Sequence, residues 1–422
     1  MPESIVAVPA RSRLSLIFEV LLFLYPISLA ANKSANDVLS ALLLLTACLA
    51  LLSKPQALLG ALREARWGWL IALTMPLALV IIQHFALAPP LSLRDVDDYS
   101  RFFLCAPVYL AALSLRPRVQ WFLWGCVAFA LYSTGLMVVH FQFQHLGRDI
   151  FPNGFLAVIP HTSLAIILAF VGLQVRAHAD GGLRYRFLLP VLVGCALALP
   201  LLTQTRSGIL LVLALGAVLW RLTPGRQLRW LFGAVAVALL VVAATLSNKQ
   251  MWSRSDHTVA EIHQYVTAPV PPPLTSATTR IELWRLAIKM VEAHPLIGVG
   301  NHRFRTALAE LQARGQTPKD LELYSHPHND LLKMSAEGGL LGSLCWALLL
   351  LFPLRAALRG YGAAPGAANP ATAVILLAVG VILAGMVDVV LIWRPTIMFY
   401  GVAMSVLLAR VAQQPPSITI DT

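Results

Sequence analysis

The amino-acid sequence predicts an all-α, polytopic integral membrane protein with about twelve transmembrane helices and one helical domain in a long loop. Of its 422 residues, 58% are hydrophobic and only 12% are charged. Soluble domains are about 45–50% apolar and about 25% charged, so both values indicate a chain that lies among membrane lipids. Apolar runs close to the roughly 20 residues of a bilayer span recur almost from end to end.

Twelve apolar runs are candidate spans, and helices are expected because a lipid-exposed backbone must satisfy its own hydrogen bonds. The runs lie near 14–31, 36–53, 67–85, 101–115, 119–140, 154–175, 186–203, 207–221, 229–247, 330–354, 370–388 and 393–411. Only QTR, at 204–206, separates the seventh and eighth runs, so we expect tightly turned or broken helices there. The chain then divides into 1–247 with nine spans, the loop 248–329, and 330–422 with three spans.

The positive charges predict that both termini face the cytoplasm. When the N-terminus is placed inside and the spans alternate, 16 Lys and Arg residues fall in short inner segments and 6 in short outer ones. Because cytoplasmic loops carry the excess of Lys and Arg, the long loop is predicted to be outside. The net charge of +12 is largely this orientation signal and requires no nucleic-acid partner.

The loop 248–329 is expected to hold two amphipathic helices that lie over the membrane mouth. In SATTRIELWRLAIKMVEAHP, apolar residues recur at helical spacing, and Thr279 with Glu282 matches a capping box. Arg280 would then stand in the first turn of this helix. A second helix is expected from about 302 to 314.

Two arginines are candidates for binding an anionic group. Arg206 follows hydroxyl and amide side chains between two apolar runs, beside the N-terminus of the next predicted helix. The guanidinium of Arg280 and the free N–H groups of a capped helix start can meet on one anion. The alternative interpretations are an interfacial arginine for Arg206 and an ordinary surface arginine for Arg280.

The stretch YSHPHND contains the strongest candidate for acid–base chemistry. His326 and His328 flank Pro327 in a predicted turn before an apolar run, and a neutral imidazole suits a general base near neutral pH. A metal site needs a third ligand with supporting spacing, and Glu322 and Asp330 make no recognised set. We therefore expect no metal and no cofactor. Either histidine can instead be structural, and His326 has the weaker claim to catalysis.

Glu337 is not expected to partner His328. Nine residues along a continuous helix place the two side chains on opposite faces. Gly338, Gly339 and Gly342 are expected to permit close packing between helices.

Two arginines and one histidine on the outer face together suit a pyrophosphate-linked lipid as donor. A base would deprotonate an acceptor hydroxyl, and the arginines would stabilise the departing pyrophosphate without a metal. Secondary candidates are the flanking residues Asp388 and Arg394, which are expected to pair or to line the site. Arg101, in LRDVDDYSR, belongs either to a self-paired interface or to a substrate contact. Arg285 lies on a polar face of the loop helix.

Three motifs resemble the O-antigen ligase family, within the superfamily of O-antigen ligases and polymerases. The pair His328-Asn329, followed after nine residues by GLLG at 339–342, matches the family's HN-x9-G-x-x-G pattern. Arg206 begins RSGIL, which matches its R-x3-L element. The stretch from SATTRIELW to HPLIGVG resembles the family's periplasmic loop, with Arg280 at the arginine position.

The resemblance implies an inverting, metal-independent glycosyltransferase of the bacterial inner membrane. Similar ligases move a polysaccharide from undecaprenyl pyrophosphate to a sugar hydroxyl of lipid A–core on the periplasmic side, which forms lipopolysaccharide. Carried over, His328 is the general base, and Arg206 and Arg280 bind pyrophosphate. The alternatives are an O-antigen polymerase, a protein O-oligosaccharyltransferase and, from another class, a transporter of lipid-linked glycans. A transporter would need charged residues deep in several spans, and the sequence offers few.

Overall fold

The computed structural model describes residues 12–88, 90, 92–140, 156–178, 188–203, 205–222, 260–268, 274–317, 321, 324–363 and 369–414. The described part of the chain is helical and contains no strand, which confirms the predicted all-α class. The first nine helices are α1 (Arg13–Ala31), α2 (Lys33–Leu52), α3 (Pro55–Glu64), α4 (Trp67–Ala86), α5 (Leu93–Leu115), α6 (Val119–Val138), α7 (Val158–Gly172), α8 (Leu188–Leu202) and α9 (Arg206–Leu222). The later ones are α10 (Ser276–Ala293), α11 (Phe304–Ala313), α12 (Asp330–Ala363), α13 (Ala371–Val387) and α14 (Arg394–Ala412).

Seven described helices are long and apolar enough to cross a membrane. These are α1, α2, α4, α6, α12, α14 and the segment Val158–Val175 that extends α7. Helices α8 and α13 are also apolar but shorter. The predicted span 229–247 lies outside the described residues, so the count of about twelve stays a prediction. The apolar helices identify an integral membrane protein.

Side-chain caps explain where several of these helices begin. The Ser12 hydroxyl accepts a hydrogen bond from the backbone of Ser15 at the start of α1, and Asn32 caps α2 in the same way. Ser92 and Asp95 form a complete capping box at the start of α5. This helix therefore begins well before the predicted span at 101–115.

The loop before α12 contains helices α10 and α11, close to the two positions expected, and a further short helix at 260–267. Their apolar residues form a small core of their own, which also contacts Ala336 of α12. The predicted capping box of Thr279 and Glu282 is wrong. Thr275 caps α10 and Thr278 completes the box, so the helix starts one turn earlier.

The helices alternate in direction, and ion pairs join neighbouring ends. At one end, Arg394 at the start of α14 contacts Asp98 near the start of α5. At the opposite end, Arg118 at the start of α6 binds the buried Glu19 of α1 through two side-chain hydrogen bonds. We call the first of these the site end, because the end of α13 and the start of α12 lie there too.

Helix α12 is interrupted at Gly339, whose φ of 59° lies in the left-handed region. The loop at 294–303 packs into this break and is hydrogen-bonded to both halves of the helix. The amides of Val299 and Gly300 donate to carbonyls of α12, and the Leu340 amide donates to the Pro295 carbonyl. A Cβ on Gly339 would lie 2.5 Å from the Leu296 carbonyl carbon.

Of the glycines at 338, 339 and 342, two have the helix-packing role expected from the sequence, because Gly338 and Gly342 both face Leu79 of α4. Gly339 admits the loop backbone, and Gly342 brings the two halves of α12 together, with a Cβ position 2.0 Å from the Met334 carbonyl oxygen. The glycines therefore let the loop at 294–303 pack into the break of α12, and they also let α12 pack against α4.

Candidate functional site

His328 lies in the turn that leads into α12, with a left-handed φ of 53° that is unusual for a residue with a Cβ. The Trp284 indole of α10 donates to the Pro327 carbonyl at 2.9 Å, so the loop helix holds this turn. The backbone amide of His328 lies 3.4 Å from Nδ1 of His326. A left-handed residue costs about 1–2 kcal/mol, so these contacts are needed to keep the turn.

The imidazole of His328 is hydrogen-bonded to a carboxylate. Its Nδ1 lies 2.9 Å from Oδ1 of Asp388, one residue beyond the end of α13. Burial raises the pKa of Asp388, but hydrogen bonds from His328 and the Val389 amide outweigh it and leave this pKa below its usual value. An ionised Asp388 orients the ring through Nδ1, so Nε2 is left to act on a substrate.

Two further residues tie the Asp388 turn to the start of α12. Both carboxylate oxygens of the buried Asp330 accept from the amides of Val390 and Leu391 at 3.1–3.2 Å. Asn329 accepts from the Leu332 amide at 3.0 Å and donates to the Met386 carbonyl at 3.2 Å. Asn329, predicted as a secondary site residue, and Asp330, considered from the sequence only as a metal ligand, therefore position the histidine and its carboxylate.

His326 packs edge-on against His328, with ring centroids 4.6 Å apart. Burial and the neighbouring His328 lower the pKa of His326 to about 4, so it is neutral near pH 7. Ligand atoms of His326, His328 and Asp388 lie within 4.8 Å of one another, a donor set that fits zinc chemistry. A third possible ligand, which the sequence was expected to lack, is present, because Asp388 supplies it from a distant segment.

Arg280 is the fifth residue of α10 and is half-buried. Since the helix starts at Ser276, Arg280 is not in the first turn, and the expected help from free N–H groups is absent. Arg280 precedes Trp284 by four residues, so the two share one helix face. Because Trp284 contacts Pro327, Arg280 lies on the face of α10 that is turned to the His328 turn.

Arg206 is the first residue of α9 and is exposed. Helices α8 and α9 are separate, as predicted, and the hydroxyls of Thr203 and Thr205 hydrogen-bond across the connection at 3.0 Å. Gly208 and Gly380 of α13 face successive residues of α7. The start of α9 therefore packs against α7, next to α13.

Arg394 does not pair with Asp388, which corrects one of the two expectations for this residue. Its Nε lies 2.7 Å from Asp98 and its Nη2 lies 3.1 Å from Asp97. Arg101 lies 3.4 Å from Asp97 and 3.6 Å from Asp37. The charged residues near the start of α5 thus form a mutually paired network, in agreement with the first interpretation of Arg101.

Arg285 and Glu337 each form an ion pair with another residue of their own helix. Arg285 binds Glu282, which also accepts from the Tyr265 hydroxyl at 2.7 Å. Both contacts outweigh burial, so the pKa of Glu282 is lowered. Glu337 forms a buried ion pair with Lys333 at 2.5 Å, and the histidine at 328 has Asp388 instead. These pairs indicate structural roles.

Residues 191–347 match the family model described as O-antigen ligase. This range includes Arg206, Arg280 and His328, whereas Asp388 lies beyond it. A search of curated proteins gave no match. Residues 191–347 of this integral membrane protein are therefore similar to the O-antigen ligase family.

Proposed function

We propose that this protein is an O-antigen ligase of the bacterial inner membrane. It transfers a polysaccharide from undecaprenyl pyrophosphate to a sugar hydroxyl of lipid A–core on the periplasmic face. The family match supports a transferase of the ligase or polymerase type with a lipid-linked polysaccharide donor. The observation that carries the catalytic assignment is the hydrogen bond from His328 to Asp388 at 2.9 Å.

The reaction needs one proton transfer and one displacement. Nε2 of His328 takes the proton of the acceptor hydroxyl while that oxygen attacks the anomeric carbon of the donor sugar. The new C–O bond forms as the bond to pyrophosphate breaks, and undecaprenyl pyrophosphate leaves with the electron pair. A single displacement inverts the anomeric centre. Asp388 stabilises the imidazolium that results, as a carboxylate does beside other catalytic histidines.

Arg206 and Arg280 bind the pyrophosphate and stabilise its growing negative charge. Guanidinium groups suit this task because they stay charged and bind phosphate oxygens through two parallel hydrogen bonds. Neither arginine has an ion-pair partner among the described residues, whereas Arg101, Arg285 and Arg394 all do. With two such cations at the leaving group, the reaction proceeds without a metal.

The proposed orientation places the site end in the periplasm and both termini in the cytoplasm. The alternation of the described helices supports it, because residues from predicted outer segments meet at the site end. Arg116 and Arg118, from a predicted inner segment, contact acids at the opposite end of the bundle.

The test is a transfer assay with purified protein in lipid vesicles and a labelled lipid-linked donor. Three acceptors are offered separately: lipid A–core, a lipid-linked glycan of the same polysaccharide, and an acceptor protein. We expect label on lipid A–core alone. Label on the glycan would establish a polymerase instead, label on protein a protein-modifying enzyme, and movement across the bilayer without a new bond a transporter.

A further inference from the structure

A polar pocket of about 620 Å³ opens at the site end, beside the histidine turn. Its polar walls are formed by Lys33, Asp95, Asp98, His302, Lys333 and Arg394. Pockets that bind small ligands measure about 300–1,000 Å³, so this one has room for a few sugar residues. It belongs to no part of the donor site described above.

The pocket and the catalytic pair are built from the same two segments. Ser325 lines the pocket three residues before His328, and Ile392 lines it four residues after Asp388. A ligand seated there therefore lies next to the turn that carries the proposed base. The anion-binding arginines come from elsewhere, since α9 carries Arg206 and α10 carries Arg280, and neither helix lines the pocket.

Most charges of the pocket are paired and held in place. The Asp98 carboxylate is shared between Nε2 of His302 at 2.8 Å and Nε of Arg394 at 2.7 Å. The loop that carries His302 is fixed by its neighbour Asn301. The side chain of Asn301 donates to the Asp95 carbonyl, and its backbone N–H donates to Oε1 of Gln83 in α4 at 3.2 Å. Pre-positioned donors and acceptors with little net charge suit a ligand with many hydroxyl groups.

Two further lining residues, Lys33 and Trp393, add a positive charge and an aromatic ring to the pocket. Lys33, the first residue of α2, is exposed at the opening and adds a donor that no described acid neutralises. Trp393, which directly precedes Arg394, adds an indole ring to the lining. An aromatic face beside polar groups matches a sugar ring, which has an apolar face and a polar edge.

We propose that this pocket binds the oligosaccharide of the acceptor and presents its hydroxyl to His328. The proposal rests on the proposed function for the identity of the ligand, lipid A–core. The donor pyrophosphate and the acceptor sugar then approach the base from different groups of helices. Because the site hydrogen-bonds hydroxyl groups, it also selects the acceptor: an analogue without the bound hydroxyl leaves polar groups unpaired.

Direct binding tests the pocket separately from catalysis. The probe is fluorescently labelled lipid A–core, isolated from cells that lack the polysaccharide donor and added to detergent-solubilised protein that carries His328→Ala. Adding Lys33→Ala or His302→Ala is expected to weaken binding about tenfold, the size of one lost hydrogen bond to a charged group. Lys54→Ala and His294→Ala are matched controls, because both residues are exposed and lie outside the pocket.

Kinetics with otherwise unchanged protein provide a second measurement. Lys33→Ala should raise the KM for lipid A–core and leave kcat and the KM for the donor unchanged. Unchanged affinity for lipid A–core in both pocket variants would overturn the pocket assignment. Weaker binding of the donor, with binding of lipid A–core unchanged, would overturn it as well. If His328→Ala proves fully active, the proposed base is wrong, but the binding experiment still decides the pocket.

Discussion

The replacement Asp388→Asn removes one charge from the proposed catalytic pair and almost nothing else. The asparagine oxygen can still accept from Nδ1 of His328, which now lies 2.9 Å away, and from the Val389 amide, now at 2.8 Å. What disappears is the attraction between the carboxylate and the imidazolium. Two unit charges 2.9 Å apart at an effective dielectric constant of about 20 attract by about 6 kcal/mol.

Solvent reduces that value, because 23% of the His328 side chain and 9% of the Asp388 side chain are exposed. If about half of this attraction acts in the protein, its loss in Asp388→Asn raises the barrier to glycosyl transfer by about 3 kcal/mol. At about 1.4 kcal/mol per factor of ten, this corresponds to a roughly hundredfold loss in rate. The full value would give roughly ten-thousandfold, so we expect a loss in kcat between these limits.

The assay is single-turnover transfer from labelled donor to lipid A–core, with both substrates saturating and the protein in vesicles. Glu310→Gln is the matched control, since this exposed carboxylate lies on α11 away from the pair. Asp388→Asn should bind both substrates as the unmodified protein does. Activity within threefold of that protein would refute the reasoning, because it would mean that no charge develops on His328.

Three further outcomes are expected. Trp284→Phe keeps an aromatic ring but loses the hydrogen bond to the Pro327 carbonyl. The transfer rate should therefore fall about tenfold, the size of one lost positioning contact, while expression stays unchanged. An unchanged transfer rate would show that other contacts hold the turn. Glu282→Gln addresses pH: the pKa of Glu282 is lowered in the fold, so its stabilisation is present above the unfolded pKa and is lost as pH falls through the folded one. The thermal midpoint of this variant should therefore lie below that of the unmodified protein near pH 7, and the gap should close in acid; a constant gap would contradict the ion pair with Arg285. Transfer should persist in excess EDTA, whereas loss restored by zinc would assign a metal to the two histidines and their aspartate.

Much of the helical fold could be predicted because hydrophobicity is a local property of the sequence. The runs at 14–31 and 119–140 coincide with α1 and α6 within a few residues. The start of α5 was missed although Ser92 and Asp95 have the spacing of a capping box, since the charges that follow resembled a loop. At α10, two threonine-based caps were possible, and only the contacts of Thr275 decide between them.

The candidate site was predicted in part. His328 stood out because a histidine beside proline at the edge of an apolar run is chemically unusual there. Its carboxylate partner lies 60 residues further along the chain, and no spacing rule links residues so far apart. The break at Gly339 was missed for the same reason, because a glycine in an apolar run resembles a helix contact until the loop that fills the break is placed.

The central claim is that His328 removes the acceptor proton during glycosyl transfer. The most direct measurement compares His328→Ala with His294→Ala, a change of an exposed histidine at the end of α10, in vesicles with labelled donor and lipid A–core. We predict that His328→Ala binds both substrates but transfers no detectable label, while His294→Ala transfers at the normal rate. Normal transfer by His328→Ala would contradict the claim.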